Sequence, residues 1–204
     1  MTLQETFIFG ASWPLAGVDE AGRGPLAGPV VAAAVILDPD TAIDGLADSK
    51  CLSADTREGL ACAIMARALA WSVSWSDPAE IDRLNILQAT LLAMRRAILG
   101  LRIPPARVVV DGNRLPDLNF YGRQIDGCAV IGGDARVASI SAASILAKVR
   151  RDRIMTDMDV LYPQYGFRRH KGYATADHRE RLGRFGPCSV HRQSFSPVSA
   201  LLSG

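Results

Sequence analysis

The chain has 204 residues, of which 49% are apolar and 22% are charged, proportions that fit a soluble globular protein and exclude a largely disordered one. No uninterrupted apolar run reaches the roughly 20 residues that cross a bilayer, and the first residues lack the basic start of a secretory signal. Four scattered cysteines form no Cys-x-x-Cys pair, which disfavours a zinc site and suits reduced thiols. We therefore expect a cytoplasmic protein with no membrane partner.

Charge is distributed unevenly along the chain. Residues 1–147 contain 12 Lys or Arg against 16 Asp or Glu, whereas residues 148–193 contain 11 against 5. A basic segment of this kind is typical of a surface that faces a polyanion such as a nucleic acid. A solvated basic helix would have the same composition, so charge alone leaves both interpretations open.

The first strand-like run leads into two adjacent acids and a glycine-rich turn. Residues 17–28 read Gly-Val-Asp-Glu-Ala-Gly-Arg-Gly-Pro-Leu-Ala-Gly. Neighbouring residues in a strand point to opposite faces of the sheet. Asp19 and Glu20 can therefore share a ligand only if the strand ends at Asp19, and we expect the strand over residues 15–19. The glycines allow backbone N–H groups to approach a ligand, and the arginine between them suits phosphate. The spacing fits neither a dinucleotide-binding loop nor a P-loop, whereas a plain surface turn remains an alternative.

The next segments carry alternating strand and helix signals. An apolar run bounded by turn residues predicts a strand over residues 29–37, antiparallel to the first. Ser53 is a suitable N-cap for a helix that ends at Arg67. The period-two pattern of residues 69–76 predicts a further strand whose two tryptophans belong to the core.

A longer helix is expected from Asp77 to near Gly100. Asp77 at the N-cap, Pro78 at the first helical position and Glu80 three residues after the cap form a helix-start signature. Apolar residues then recur at helical spacing, which predicts one continuous helix.

Two later strand-like runs also lead into acids. Residues 107–111 end in Asp111, and residues 128–131 are followed by two glycines and Asp134. An acid at the C-terminal end of a buried strand is a functional position in many α/β folds, whereas an Asp-Gly turn is the plain alternative for Asp111. If these strand ends meet the first, four carboxylates can hold two divalent ions, one activating a water and the other stabilising the leaving oxygen. Mg²⁺ suits such oxygen ligands, and Mn²⁺ can replace it.

The last third of the chain is mainly helical and basic. A helix is expected from Ala138 to about Met158, with small residues first and basic ones after, so that its first turns can approach a sheet or a nucleic-acid backbone closely. A basic loop, Phe-Arg-Arg-His-Lys-Gly-Tyr at residues 167–173, precedes a short helix over residues 174–184.

Taken in order, these motifs resemble those of the bacterial ribonuclease HII family, within the type 2 ribonucleases H. The resemblance covers nearly the whole chain. The motifs that carry it are Gly17–Gly24, Asp48–Lys50, Asn85–Thr90, Val109–Asn113, Gly133-Asp134, Ile140–Val149, Arg151–Arg153, His170–Tyr173 and His191-Arg192.

The resemblance implies an α/β ribonuclease H-like fold, a mixed sheet flanked by helices with a small C-terminal helical part. It implies one catalytic domain over residues 1–204 with a basic helical portion from about residue 160, and a monomer. The implied activity is that of a metal-dependent endoribonuclease using two Mg²⁺ or Mn²⁺ ions. Such an enzyme hydrolyses the RNA strand of RNA/DNA hybrids and incises 5′ to single ribonucleotides in duplex DNA, leaving 5′-phosphate and 3′-hydroxyl ends.

The resemblance also implies the site residues. The catalytic metal ligands would be Asp19, Glu20, Asp111 and Asp134. Asp152 is the rival of Asp134, but one full helix separates it from the strand end, and a helical ion pair is the better interpretation there. The residues implied in substrate binding are Gly22, Arg23, Gly24, Lys50, Lys148, Lys171 and Tyr173.

Two other functions use the same residue pattern. A different nuclease of the same fold, such as a junction resolvase, would share the acids and prefer branched DNA. A catalytically silent nucleic-acid-binding module would be expected to lack an acid, and all four are present.

Overall fold

A mixed five-stranded sheet forms the centre of the computed structural model, which describes residues 13–46, 52–120 and 122–202. The strands in chain order are β1 (Leu15–Ala21), β2 (Val30–Ile36), β3 (Ala70–Ser76), β4 (Arg107–Asp111), β5 (Asn119–Phe120), β6 (Arg123–Gln124) and β7 (Asp126–Val130). The order in the central sheet is β3-β2-β1-β4-β7, while β5 and β6 pair separately. Strands β1, β4 and β7 are parallel, and the β1–β2 and β2–β3 pairs are antiparallel, which confirms the predicted hairpin.

Helices cover both faces of this sheet. They are α1 (Ala54–Arg67), α2 (Pro78–Leu84), α3 (Ile86–Leu99), α4 (Ala138–Leu161), α5 (Phe167–His170), α6 (Ala176–Phe185) and α7 (Val198–Leu202), with a 3₁₀ turn at Gly133–Ala135. The mixed sheet, its helical layers and the helices that follow α4 confirm the predicted fold class. Within the described part of the chain, no helix combines the length and the apolar character needed to span a bilayer.

The core lies on both sides of β2, whose residues are all buried. Ala34 and Ile36 pack on the α3 side, whereas Ala33 and Val35 pack on the side of α1 and α4, as the alternation of side chains in a strand requires. Each layer therefore buries one face of the same strand, and burial of these apolar side chains stabilises the sheet.

Helix α4 approaches β1 so closely that a side chain at Gly17 would not fit. A Cβ there would lie 2.2 Å from the carbonyl carbon of Ser139. The predicted role of the small residues at the start of α4 is thus confirmed for contact with the sheet. This contact brings Ser144, which follows Ser139 further along α4, to the end of β1 that carries the acids.

The single helix predicted from Asp77 to Gly100 is wrong, because the chain breaks at Asn85 between α2 and α3. Asn85 has φ 69, and its side-chain oxygen accepts from the N–H groups of Leu87 and Gln88. Asparagine tolerates positive φ and can replace lost helical hydrogen bonds with its own side chain. The predicted start is confirmed, since Asp77 and Glu80 form a capping box.

The prediction that both tryptophans of β3 belong to the core is also wrong. Trp71 and Trp75 are 39% and 43% exposed. The alternation was correct, but it does not show which face of the strand is covered, and β3 is one of the two edge strands of the central sheet. The small residues Ala70 and Ser76 occupy the buried positions, while the Arg150 guanidinium lies over the Trp75 ring at 5.6 Å.

Candidate active site

Three carboxylates meet at the C-terminal ends of adjacent strands. Asp19 lies in β1, Asp111 ends β4, and Asp134 lies in the 3₁₀ turn after β7. Because β1 and β4 are parallel with Val18 opposite Val110, Asp19 and Asp111 follow at neighbouring positions. One carboxylate oxygen from each of the three acids lies within 4.8 Å of the others. Such a group of oxygen ligands fits a hard divalent cation.

Hydrogen bonds hold two of these carboxylates in place. The N–H of Gly133 donates to Asp111 Oδ1 at 2.7 Å, and the N–H of Glu20 donates to Asp19 Oδ1 at the same distance. Ser144 adds a side-chain hydrogen bond to Asp19. Sequence reasoning missed Ser144, although a hydroxyl on an otherwise small and apolar helical stretch was a usable signal.

The electrostatics of the site favour a bound cation. Burial raises the pKa of Asp19 well above its usual range, and the charges of Glu20 and Asp111 raise it further, against the hydrogen bond from Ser144. Burial also raises the pKa of Glu20, while Arg23 opposes that shift. A divalent ion among these groups would relieve the repulsion that raises both pKa values, so the residues present fit a metal.

The predicted end of β1 at Asp19 is wrong, because the strand continues to Ala21 and Glu20 pairs with Ala32 of β2. Strand geometry turns consecutive side chains to opposite sides, so Glu20 lies outside the group of three. Its Oε1 lies 3.4 Å from Arg23 Nη1. Glu20 nevertheless lines the same cavity as Asp19, at its edge.

A cavity of about 270 Å³ opens beside the acids. It brings together most of the residues that the sequence predicted for the site. The lining residues are Asp19, Glu20, Ala21, Gly22, Arg23, Gly24, Asp111, Ser144, Lys148 and Tyr173. Tyr173 is 45% exposed, and the buried Arg151 guanidinium lies 5.8 Å from the centre of its ring.

The three predicted lysines occupy different surroundings. Lys148 lines the cavity and forms an ion pair of 2.7 Å with Asp152, the helical pair expected for that acid. Lys171 lies in the neighbouring groove, where its Nζ donates to Thr156 Oγ1 at 3.0 Å and burial lowers its pKa. Lys50 lies outside the described residues.

A mixed sheet with acids at the ends of adjacent parallel strands defines a ribonuclease H-like hydrolase. The family model for ribonuclease HII matches residues 16–198. The chain therefore belongs to the ribonuclease HII family, and it is a hydrolase of the ribonuclease H type.

Comparison with individual proteins gives the same family. The chain is 58% identical over 199 residues to the ribonuclease HII of Albidiferax ferrireducens, covering 98% of this chain and 94% of that protein. The crystal structure of ribonuclease H2 from Pyrococcus horikoshii OT3 has a TM-score of 0.77 at 27% identity, covering 93% of this chain and 97% of the other. Bst ribonuclease HIII in complex with Mn²⁺ shares the fold, with a TM-score of 0.73 at 21% identity over 93% and 69% of the two chains.

Proposed function

We propose that this protein hydrolyses the RNA strand of RNA/DNA hybrids and incises duplex DNA 5′ to a single embedded ribonucleotide, leaving 5′-phosphate and 3′-hydroxyl ends. The observation that carries the proposal is the group of three carboxylates within 4.8 Å of one another, beside a cavity lined by the Gly22-Arg23-Gly24 loop and Tyr173. Membership of the ribonuclease HII family supports the same reaction.

The metal ligands in this proposal are Asp19, Asp111 and Asp134, with Glu20 contributing from the edge of the cavity. When bound, two Mg²⁺ or Mn²⁺ ions supply Lewis-acid activation of a water and of the scissile phosphate. The all-oxygen donor set supports either ion, and the Mn²⁺ complex of the HIII relative supports Mn²⁺. The protein holds the carboxylates in position through Ser144 and the backbone N–H groups of Glu20 and Gly133.

The Gly22-Arg23-Gly24 loop is proposed to contact the ribose 2′-hydroxyl and the adjoining phosphates. That hydroxyl is the group that distinguishes RNA from DNA at a given position. At Gly24, a Cβ would meet no atom within 4 Å, so the backbone faces open space that a nucleotide can occupy. Tyr173 is proposed to pack against the sugar that follows the ribonucleotide. Its ring lines the cavity and is half exposed, which supports this role.

The basic residues are proposed to position the duplex without reading its sequence, since phosphate contacts carry no base information. Lys148 and Lys171 flank the acids from the cavity and from the adjoining groove, and Lys50 is a third candidate. We further propose a cytoplasmic monomer in which residues 1–204 act as one catalytic domain with a basic helical portion from about residue 160.

An end-labelled DNA duplex with one ribonucleotide, incubated beside an all-DNA control in Mg²⁺, Mn²⁺ and chelator, tests the proposal. We expect metal-dependent incision only 5′ to the ribonucleotide. Comparable cleavage of the all-DNA control would refute it, and a preference for a branched DNA would indicate the resolvase-like alternative. Tight duplex binding with no cleavage in either ion would instead indicate a silent binding module.

A further inference from the structure

Arg192 lies directly beneath the Gly22-Arg23-Gly24 loop with its side chain 0% exposed. Its Nη2 donates to the Gly22 carbonyl at 2.5 Å and its Nη1 to the Arg23 carbonyl at 2.8 Å. Its Nε donates to the Gly28 carbonyl at 3.0 Å. One guanidinium therefore binds three backbone carbonyls of the β1–β2 connection.

A second buried arginine binds the same connection. Arg151 donates to the carbonyls of Ala27, Pro29 and Lys171 at 3.0 to 3.2 Å. A Cβ on Gly22 would lie 1.8 Å from Arg151 Nε, so this side chain fills the space beneath the loop. Arg151 holds the base of the connection, whereas Arg192 holds the two peptide groups next to the cavity.

The direction of those carbonyls fixes the direction of two N–H groups. A trans peptide is planar, with its C=O and N–H pointing in opposite directions. Because the Gly22 and Arg23 carbonyls point to Arg192, the N–H groups of Arg23 and Gly24 point away from it. Both residues line the cavity. Among the described residues, neither N–H donates to a backbone or side-chain acceptor, which supports donation to a ligand.

We propose that Arg192 is a positioning residue that orients the Arg23 and Gly24 N–H groups toward the ribose 2′-hydroxyl and thereby sets the preference for a ribonucleotide. This inference rests on the proposed function. Arg192 does not touch the substrate itself but acts through the backbone of the loop.

The chemistry of arginine fits this role better than that of other side chains. Its planar guanidinium carries donors in a rigid fork, so one side chain can bind adjacent carbonyls at once. A buried cation is costly when no carboxylate is bonded to it, and Arg192 bonds only carbonyls among the described residues. A lysine would keep the charge and most of the length but would lose the fork.

The variant Arg192→Lys tests the inference, with Arg181→Ala as its matched control. Arg181 also donates to a backbone carbonyl, that of Gln164 at 2.9 Å. Arg181 makes no hydrogen bond to the Gly22-Arg23-Gly24 loop among the described residues. Dissociation constants are measured for a duplex with one ribonucleotide and for an all-DNA duplex, with Ca²⁺ as the divalent ion and a gel to check for cleavage. Thermal unfolding followed by circular dichroism reports whether each variant folds.

We expect Arg192→Lys to reduce the preference for the ribonucleotide-containing duplex by about tenfold, the effect of losing roughly one hydrogen bond. Its affinity for the all-DNA duplex should stay within about twofold of wild type, because phosphate contacts are unchanged. Arg181→Ala should unfold at a lower temperature and keep the wild-type preference. A folded Arg192→Lys protein with the wild-type preference would overturn the inference. An equal loss of this preference in Arg181→Ala would also overturn it.

A measurement on the wild-type protein decides the matter if Arg192→Lys does not fold. In hydrogen exchange followed by NMR, the amide hydrogens of Arg23 and Gly24 should exchange rapidly with solvent in the free protein. They should become protected when the ribonucleotide-containing duplex binds, but not when the all-DNA duplex binds. Equal behaviour with both duplexes would overturn the inference. If the wild-type protein itself shows no preference and no incision at a ribonucleotide, the proposed function fails rather than the role of Arg192.

Discussion

His178 and His191 meet through their Nε2 atoms at 3.1 Å, and both rings are buried. The Cys188 N–H donates to His191 Nδ1, so the proton of His191 is on Nε2 and is donated to His178. His178 Nδ1 then donates to the Tyr173 carbonyl at 2.9 Å. The ring of His170 stacks on His178 at 4.4 Å. This network is complete only when both linked rings are neutral, because a further proton would place two N–H donors opposite each other.

We expect the free energy of unfolding to fall as the pH is lowered from 6.5 to 4. Burial, together with the neighbouring His178, lowers the pKa of His191 from 6.5 to about 4. The unfolded chain binds a proton that the folded chain does not, so this stabilisation is complete above pH 6.5 and is lost as the pH falls toward 4. At about 1.4 kcal/mol per pKa unit, His191 alone accounts for about 3 kcal/mol.

Urea unfolding in chelator at pH 7.5 and pH 4.5 measures this effect, with His191→Gln for comparison. The variant should be less stable than wild type at pH 7.5 and lose less stability between the two pH values. Since the acids titrate in both proteins, the difference between them isolates the histidine. Equal losses would show that His191 is not the group responsible.

Asp111→Asn should reduce cleavage by about 10³-fold or more, which corresponds to about 4 kcal/mol of transition-state stabilisation. Duplex affinity should stay near wild type because the change removes a proposed metal ligand and no proposed phosphate contact. Asparagine can still accept from the Gly133 N–H, so we expect the variant to fold. It should be at least as stable as wild type without metal, because the charge of Asp111 raises the pKa of Asp19.

Single-turnover cleavage and equilibrium binding check this prediction. Asp126→Asn is the matched control, since Asp126 begins β7 at the end away from the acids and pairs with Arg107. The control should cleave at the wild-type rate. Wild-type turnover by Asp111→Asn would show that Asp111 is not a catalytic residue.

Gly22→Ala should reduce the stability of the protein, whereas Gly24→Ala should reduce cleavage with little change in stability. Gly22 has φ 95 and would place a Cβ 1.8 Å from Arg151 Nε, so alanine there should cost about 2 kcal/mol or more of folding free energy. Gly24 would place its Cβ in open space, so alanine should change stability by no more than about 0.5 kcal/mol. The added methyl group faces the cavity and should still reduce cleavage at least tenfold. Thermal unfolding and cleavage rates measured on both variants check the pair, and unchanged cleavage by Gly24→Ala would exclude close approach of the substrate.

Tyr173→Ala should reduce incision at a single embedded ribonucleotide more than cleavage of a long RNA/DNA hybrid. Incision at a single ribonucleotide depends on one packing contact with the sugar beside it, whereas a long hybrid can be cleaved at many positions. Tyr173→Phe keeps the ring and should stay near wild type on both substrates. Initial rates on the two substrates test this, and equal losses with Tyr173→Ala would argue against a role at the RNA–DNA junction.

The sequence predicted the acids of the site better than the buried residues that hold the neighbouring loop in place. Asp111 and Asp134 could be found because β-branched or apolar runs lead into them, a local pattern that survives folding. Arg151 and Arg192 stand in motifs that carry the resemblance, but their supporting roles could not be predicted, since arginines are usually exposed and their partners are carbonyls far along the chain. The position of Glu20 also escaped prediction, because the length of β1 depends on pairing with β2 and not on β1 alone.

The bond between Arg192 and Gly22 joins residues 170 positions apart in the chain. During translation the sheet strands and their acids emerge from the ribosome well before the arginine that orients the loop beside them. A nascent chain that has reached residue 180 already carries all four acids yet lacks this support. On the proposed role of Arg192, full selectivity for ribonucleotides is acquired late in synthesis, after the acids of the site are already in place.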